Sequence, residues 1–513
     1  MKTIFSSILL TLVIVMSNFP VKAQENLTTI EANQEIPTIE ERPYASHFFV
    51  KDFLEWEFDK DPDAIHNVST VSLNSRIQGE KVNDYQSLDG RVASLAIVNK
   101  NTSGTPSQGS TKKEIYNFTN WQYIDVLVAW AGSAGEGIIV PPSSDITDIA
   151  HRNGVPVLGT VFFPPIAYGG KDVWLDEFLV KGENGNFPVA DKMIEMANIY
   201  GFDGWFINEE IDGYPEHGKL FQEFLDYYNQ NKPNHQEIMW YDAMTEGGKV
   251  SWQNQLNRNN EMFFQTGEQR RSDSMFLNFW WNNGMLKNSR DKAIKLNRDP
   301  FDVYAGIDVQ GSGINTRYSP NTLRFDNSGD LMLSLGLYGP DWTLRDGANE
   351  NVEKYWKNEQ DFWINDNGDP RQASQPSTWG GWPGISSLVV EKSAVTSLPF
   401  VTNFDVGHGD NQYQNGKVVK TGTFNNRSIQ DLLPTYKWII DQKDNKMEAS
   451  FAYEEVFNGG SSILLAGETF KNSETKVDLY ATDLKLTDNN KGKIVYKGDA
   501  EVSLVLKDKG LTD

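Results

Sequence analysis

The stretch VADKMIEMANIYGFDGWFINEE, residues 189–210, joins a helix to a strand. Apolar residues at 189, 193, 196, 197 and 200 recur at helical spacing, and Gly201 closes the helix. GWFINEE (204–210) is then a short apolar run that ends in Asn208, Glu209 and Glu210. A strand that is apolar on both faces belongs in a parallel sheet covered by helices. Carboxylates placed directly behind Trp205, Phe206 and Ile207 risk desolvation, so they need a partner or a purpose.

The same texture recurs along the chain. Candidate strands are YIDVLVAW (123–130), VPVLGTVFF (155–163), GWFINEE (204–210), IMWYDAM (238–244), MFLNFWW (275–281), VYAGIDV (303–309), LMLSLGLY (331–338) and LPFVTNF (398–404). Helical patterns lie between them, such as SSDITDIAHRNG, where Ser144 suits a cap and Gly154 a stop. Eight buried strands with crossovers are what a (β/α)8 barrel demands, here over residues 43–425 with long loops and an insertion at 340–397. An open doubly wound sheet is the alternative. From residue 426 to 513 the runs become short, alternating and broken by Gly, Asn and Asp, which is the texture of an all-β, sandwich-like module.

The two N-terminal segments read differently. Residues 1–23 have the basic start, apolar stretch and small-residue end of a signal peptide. They lead to the expectation of a soluble periplasmic or secreted protein with no lipid anchor, since there is no cysteine to lipidate. Residues 24–42 are polar and acidic and read as a linker. With a formal net charge of −23, the chain would repel a polyphosphate, so nucleic acid is not an expected partner. No further apolar run reaches the ~20 residues of a spanning helix. The absence of cysteine excludes disulfides, thiolate metal sites and a thiol nucleophile. No His-x-x-x-His pair occurs either, so neither metal nor cofactor is expected. Oligomeric state leaves no trace in the sequence.

In a strand, residues two apart share a face at a separation of ~6.6 Å. Asn208 and Glu210 therefore point one way and Glu209 the other. Barrel enzymes place their chemistry at the C-terminal ends of strands, where these residues lie. Cleaving a glycosidic bond needs a carboxylic acid to protonate the leaving oxygen, and commonly a second carboxylate. An amide in the second place suits a substrate whose own acetamido oxygen attacks. On spacing alone, a buried glutamate paired with Lys or Arg is the better-supported reading.

YGFDGWFINEE resembles the catalytic segment of the endo-β-N-acetylglucosaminidases, family 85 of the glycoside hydrolases. NWQYIDVLVAWAGSAGEGIIVPPSSDITDIAHRNGVPVLGTVFFPPIAYGG is similar to that family's first two barrel strands. EIMWYDAM, VSWQNQLN, LPFVTNFDVGHG and IQDLLPTYKW follow in the family's order, and the likeness runs from Pro43 to Gly467. The resemblance implies cleavage between the two GlcNAc residues of the N-glycan core, with retention of configuration and one GlcNAc left on the protein. It implies that Glu210 is general acid then general base, that Asn208 binds the acetamido group, and that Tyr241 positions one of them. Trp130, Phe163, Tyr168, Trp252, Trp280 and Trp281 become candidate sugar platforms, and Asn278 and Asn403 candidate hydroxyl contacts. Glu209 stands where the family often has Gln, and the C-terminal β region is shorter than usual. Two rival readings are a glycosidase pairing Glu210 with Asp203 or Asp242 on another glycan, and a glycan-binding protein without activity.

Overall fold

The computed structural model describes residues 4–14, 43–112, 115–325, 329–346, 351–373, 381–470, 473–487 and 489–506. The expected linker at 24–42 lies outside them. Eight strands form a closed parallel ring: β1 (Val92–Ala96), β2 (Val126–Ala129), β3 (Val157–Phe163), β4 (Gly204–Glu209), β5 (Glu237–Tyr241), β6 (Ser274–Leu277), β7 (Val303–Asp308) and β8 (Ser334–Tyr338). Each pairs in parallel with the next, and β8 closes on β1 with Leu335 opposite Val92. The architecture is the (β/α)8 barrel, followed by further β strands in the C-terminal region.

The count of eight holds although two members differ from the sequence reading. YIDVLVAW supplies the second strand, because β1 was overlooked: VASLA is five residues of mostly small side chains and carries little apolar signal. LPFVTNF supplies no barrel strand. Only Phe400–Val401 is extended there, and it pairs antiparallel with residues 13 and 14. Phe400 and Phe404 instead pack with Val395, Met447, Ile463 and Leu465 in a second apolar core. Ile4–Ile14, read from sequence as part of a leader outside the fold, forms a strand in that C-terminal sheet, antiparallel to Ser462–Thr469 and Lys493–Lys497.

Strand parity sorts the barrel side chains into two cores. Ala93, Leu95, Val126, Val128, Leu158, Phe206, Met239, Phe276 and Tyr304 fill the interior. Trp205, Ile207, Ile238, Trp240, Met275 and Leu277 face out, against the helices. Phe276 spans the interior because two neighbours lack side chains. A Cβ at Gly336 would lie 2.2 Å from its ring, and one at Gly306 2.7 Å.

Three helices are needed to place the site: α1 (Ser144–Arg152) after β2, α2 (Pro188–Tyr200) before β4 and α3 (Pro215–Asn231) after it. The helix α1 is flanked by Ser143, and Ser144 already lies inside it, where its hydroxyl donates to the carbonyls of His66 and Ser107 rather than capping. Arg427, from beyond the barrel strands, is buried against the start of α1. It donates to Asp145 at 2.7 Å, to the Val98 carbonyl and to Asn99 Oδ1.

At the N-terminal end of β4, Asp203 accepts from the Val157 amide (2.7 Å) and from His151 Nε2 (2.8 Å). His151 Nδ1 faces the Val71 carbonyl at 2.7 Å, which can only accept. Both ring nitrogens thus carry protons. Burial opposes the charge, but the Asp203 carboxylate outweighs it and raises the His151 pKa above its ordinary 6.5. A raised folded-state value gives stability that is complete below the unfolded pKa and lost as pH climbs through the folded one. His151→Ala is therefore expected to cost about 3 kcal/mol at pH 6, the scale of a broken buried pair. The penalty should shrink in alkaline buffer, measured by urea unfolding across the pH range.

Candidate active site

The rim of the barrel is set by the same parity that sorts its core. Phe206 faces the interior, and Asn208 and Glu210 follow it on that side, above the packed side chains. Glu209 is directed outward with Trp205 and Ile207 and is wholly buried. The ladder extends one residue past β4, since the Glu210 amide donates to the Phe163 carbonyl at 3.0 Å.

Asn208 is buried, and its Oδ1 has no hydrogen-bond partner within the protein. Nearly all buried polar atoms find a partner, so an unmatched amide oxygen beside a carboxyl group marks a place for a donor from outside. Glu210 accepts a 2.9 Å bond from the indole nitrogen of Trp252. Burial raises its pKa, while Trp252 and Tyr241 work in the opposite direction. The result is a carboxyl group that holds its proton above the ordinary glutamate range yet remains within reach of solvent.

Tyr241 ends β5 facing inward, and its hydroxyl donates to Asn278 Oδ1 at 2.8 Å. Burial, then the charges of Glu210 and Asp242, push the phenol well above 10, so it stays protonated. Asp242 is fully buried and held by four donors. These are the amides of Gln253 (2.9 Å), Asn254 (2.6 Å) and Asn278 (3.1 Å), and Asn260 Nδ2 (3.2 Å). Burial raises it to about 6 against those donors. Its oxygens are occupied in fastening the loop after β5, which leaves none free for a substrate. Asp203 sits at the opposite end of β4, bonded to His151. Neither aspartate is placed to act with Glu210.

The candidate platforms divide by the same rule. Trp130 lies at the inner rim, edge-on to Phe206 and Tyr338. Tyr168 is 78% exposed on the loop after β3, and Trp252 and Trp280 are 46% and 60% exposed. Phe163 is corrected: it is 0% exposed, in the outer core against Phe178 and Phe221. Its neighbour Phe162, missed from sequence, takes the inward place beside Trp130. Trp281 is also corrected, being fully buried, stacked on Tyr318 at 4.5 Å and bonded to the Gly306 carbonyl. Asn403 leaves the site altogether. It belongs to the C-terminal region, where its Oδ1 accepts from Asn458. Asn278 remains, bonded to Tyr241 and, through Nδ2, to Asn254 Oδ1 at 2.9 Å. Asn254 is not among the sequence-derived candidates: it lies within VSWQNQLN, in a loop at a φ of +56°, and neither helical nor strand periodicity singles it out there. Among the described residues, no group of three or more His, Cys, Asp or Glu side chains is arranged to hold a metal ion.

Comparison with known proteins agrees on the family. The model of glycosyl hydrolase family 85 matches residues 98–412. The cytosolic endo-beta-N-acetylglucosaminidase of Gallus gallus is 30% identical over 366 residues, covering 70% of this chain and 44% of that protein. The Danio rerio protein of the same name is 27% identical over 431 residues, covering 81% and 53%. This chain thus spans about half the length of the curated relatives it matches. The glycoside hydrolase domain of Endo-D from Streptococcus pneumoniae R6 superposes with a TM-score of 0.78 at 32% identity, covering 89% of this chain and 69% of that one. The relatives' names also overturn the expectation of an exported, periplasmic or secreted protein, because the vertebrate proteins are called cytosolic. Among the described residues no helix is long and apolar enough to cross a membrane.

Glu209 yields a separate test. Its Oε1 accepts from the Ile211 amide at 2.6 Å, and its Oε2 is buried without a partner. Burial drives its pKa well above 4.5 against the Ile211 bond, assisted by Glu210 and Asp212. A raised carboxyl favours folding only while protonated, so its contribution declines as pH rises from the unfolded pKa towards the folded one. Glu209→Gln keeps the shape without the proton to lose. Its urea midpoint should exceed that of the parent, with the gap widening from about pH 5 to 8.

Proposed function

The chain belongs to glycosyl hydrolase family 85, and from that membership we propose that it is an endo-β-N-acetylglucosaminidase acting on the N-linked glycans of glycoproteins. It cuts the GlcNAc-β-1,4-GlcNAc bond of the core, by a retaining mechanism in which the substrate supplies the nucleophile. The observation that carries this reading is the unpartnered, buried Oδ1 of Asn208 on the same side of the chain as Glu210. An acetamido group has the N–H this oxygen lacks, whereas a glycosidase with two carboxylates would need a second acid in that place.

In the first step the acetamido carbonyl oxygen bonds to the anomeric carbon while the glycosidic C–O bond breaks. The Glu210 proton passes to the leaving oxygen of the GlcNAc that stays on the protein. Asn208 accepts from the acetamido N–H, draws electron density towards the carbonyl oxygen and spreads the charge of the oxazolinium ring. Two inversions at one carbon give net retention. In the second step Glu210, now a carboxylate, takes a proton from water as its oxygen bonds to that carbon and the ring reopens. The raised pKa of Glu210 serves the first step, and its Trp252 bond steadies the anion between the two. Tyr241, bonded to Asn278, fixes the wall beside both groups.

Incubation with a glycoprotein carrying defined N-glycans, followed by intact mass measurement, is expected to give a product with one GlcNAc at each site. Asn208→Ala should lower kcat by about 10²–10³-fold, the range for loss of one preorganised transition-state contact. A GlcNAc thiazoline, which mimics the cyclic intermediate, should inhibit competitively. Full turnover by Asn208→Ala, or a product bearing no GlcNAc, would refute the assignment.

A further inference from the structure

Asn254 joins both exposed tryptophans of the rim to the groups around the acid. Its Oδ1 accepts from Asn278 Nδ2 and from the Trp280 amide, each at 2.9 Å. Its Nδ2 donates to the Trp252 carbonyl at 3.0 Å, and its own amide donates to buried Asp242 at 2.6 Å. All three hydrogen bonds of this side chain go to a residue of the site or its loops. The chain of bonds runs from Glu210 to the Trp252 indole, through Asn254 to Asn278, and on to the Tyr241 hydroxyl. Tyr241 in turn borders Glu210. Trp252 itself is half exposed, so packing alone does not hold its indole over the carboxylate. The backbone at Asn254 is left-handed, a conformation that Asn adopts more readily than most residues. This position thus requires both an αL-tolerant backbone and a side chain able to accept twice and donate once.

We propose that Asn254 is a positioning residue for the general acid: by fixing the Trp252 loop to the end of β6, it keeps the indole N–H on Glu210 and so sets the pH at which Glu210 gives up its proton. The role of Glu210 as acid rests on the function proposed above, but the bond network does not. A donor on the carboxylate stabilises the charged form and lowers the pKa, and freeing the indole would raise it. The other titratable groups coupled to Glu210 are Glu209 beside it on the chain, Tyr241 at the end of β5 and Tyr338 on β8; Asp212 and Asp242 act one step further out, on Glu209 and Tyr241. Asn254→Gly deletes none of these groups and keeps the backbone amide on Asp242; Tyr241 is touched only through Asn278, so the Trp252 indole resonance, and not activity alone, reports the tether.

Asn254→Gly retains the left-handed backbone and removes the side-chain bonds. The indole N–H resonance of Trp252, assigned by its loss in Trp252→Phe, reports Glu210 titration without turnover. Its midpoint is expected to move up by about half a pH unit in Asn254→Gly, a fraction of a hydrogen bond to a charged group. The alkaline limb of kcat/KM should move with it, and the remaining indole resonances should hold their positions. An unchanged midpoint, or a loss of kcat/KM equal at every pH, would overturn the proposal. Should Asn254→Gly fail to fold, Asn254→Ser carries the same test, because its short hydroxyl cannot span to Asn278, Trp280 and Trp252 together. An indole shift in a protein that releases no N-glycan would refute the enzymatic reading and leave the tether standing.

Discussion

The two-residue repeat of one parallel strand governs the rest of this molecule. Because β4 is held between β3 and β5, its side chains cannot choose their direction. Trp205 and Ile207 enter the outer core, Phe206 the inner one, and Asn208 and Glu210 inherit the inner side where the packed column ends. A slip of one residue would bury the acid among helices and send Glu209 to the rim. The ring closure from β8 to β1 resists that slip, since every register is tied to two others.

Around this fixed pair the loops do the finer work. Asp242, wholly buried, gathers three backbone amides and one side-chain amide, and so converts the segment after β5 from a free loop into a wall. The carboxylate that a rival reading would recruit for catalysis is thereby committed to architecture. That wall supports Trp252 on Glu210 and carries the loop residue to which the Trp280 amide is bonded. Charge and geometry agree: burial keeps Glu210 protonated for longer, and the Trp252 indole donor limits how far.

The barrel, and the side of β4 that Asn208 and Glu210 share, are legible in the sequence because both are written in local periodicity. The sequence is less informative where direction depends on where a strand ends. Phe163 and Trp281 stand at strand ends as aromatics, yet each is one residue out of phase with the interior, and Phe162 takes the position in the first case. Asn403 was misplaced with its whole segment, whose apolar residues belong to a second core far along the chain. The strand β1 escaped notice because small residues suit a crowded barrel but resemble a loop when read alone. Asn254 is defined by four partners from two segments, those after β5 and after β6, and no strand or helix periodicity records such a convergence.

Arg427 gives the C-terminal region a meaning beyond its own strands. Its guanidinium closes against Asp145 inside the barrel's helical layer, with side-chain exposures of 4% and 0%. Excising everything beyond residue 425 would strand a negative charge in the interior, at a cost of about 3–5 kcal/mol. The segment is thus a keystone and not a removable cassette.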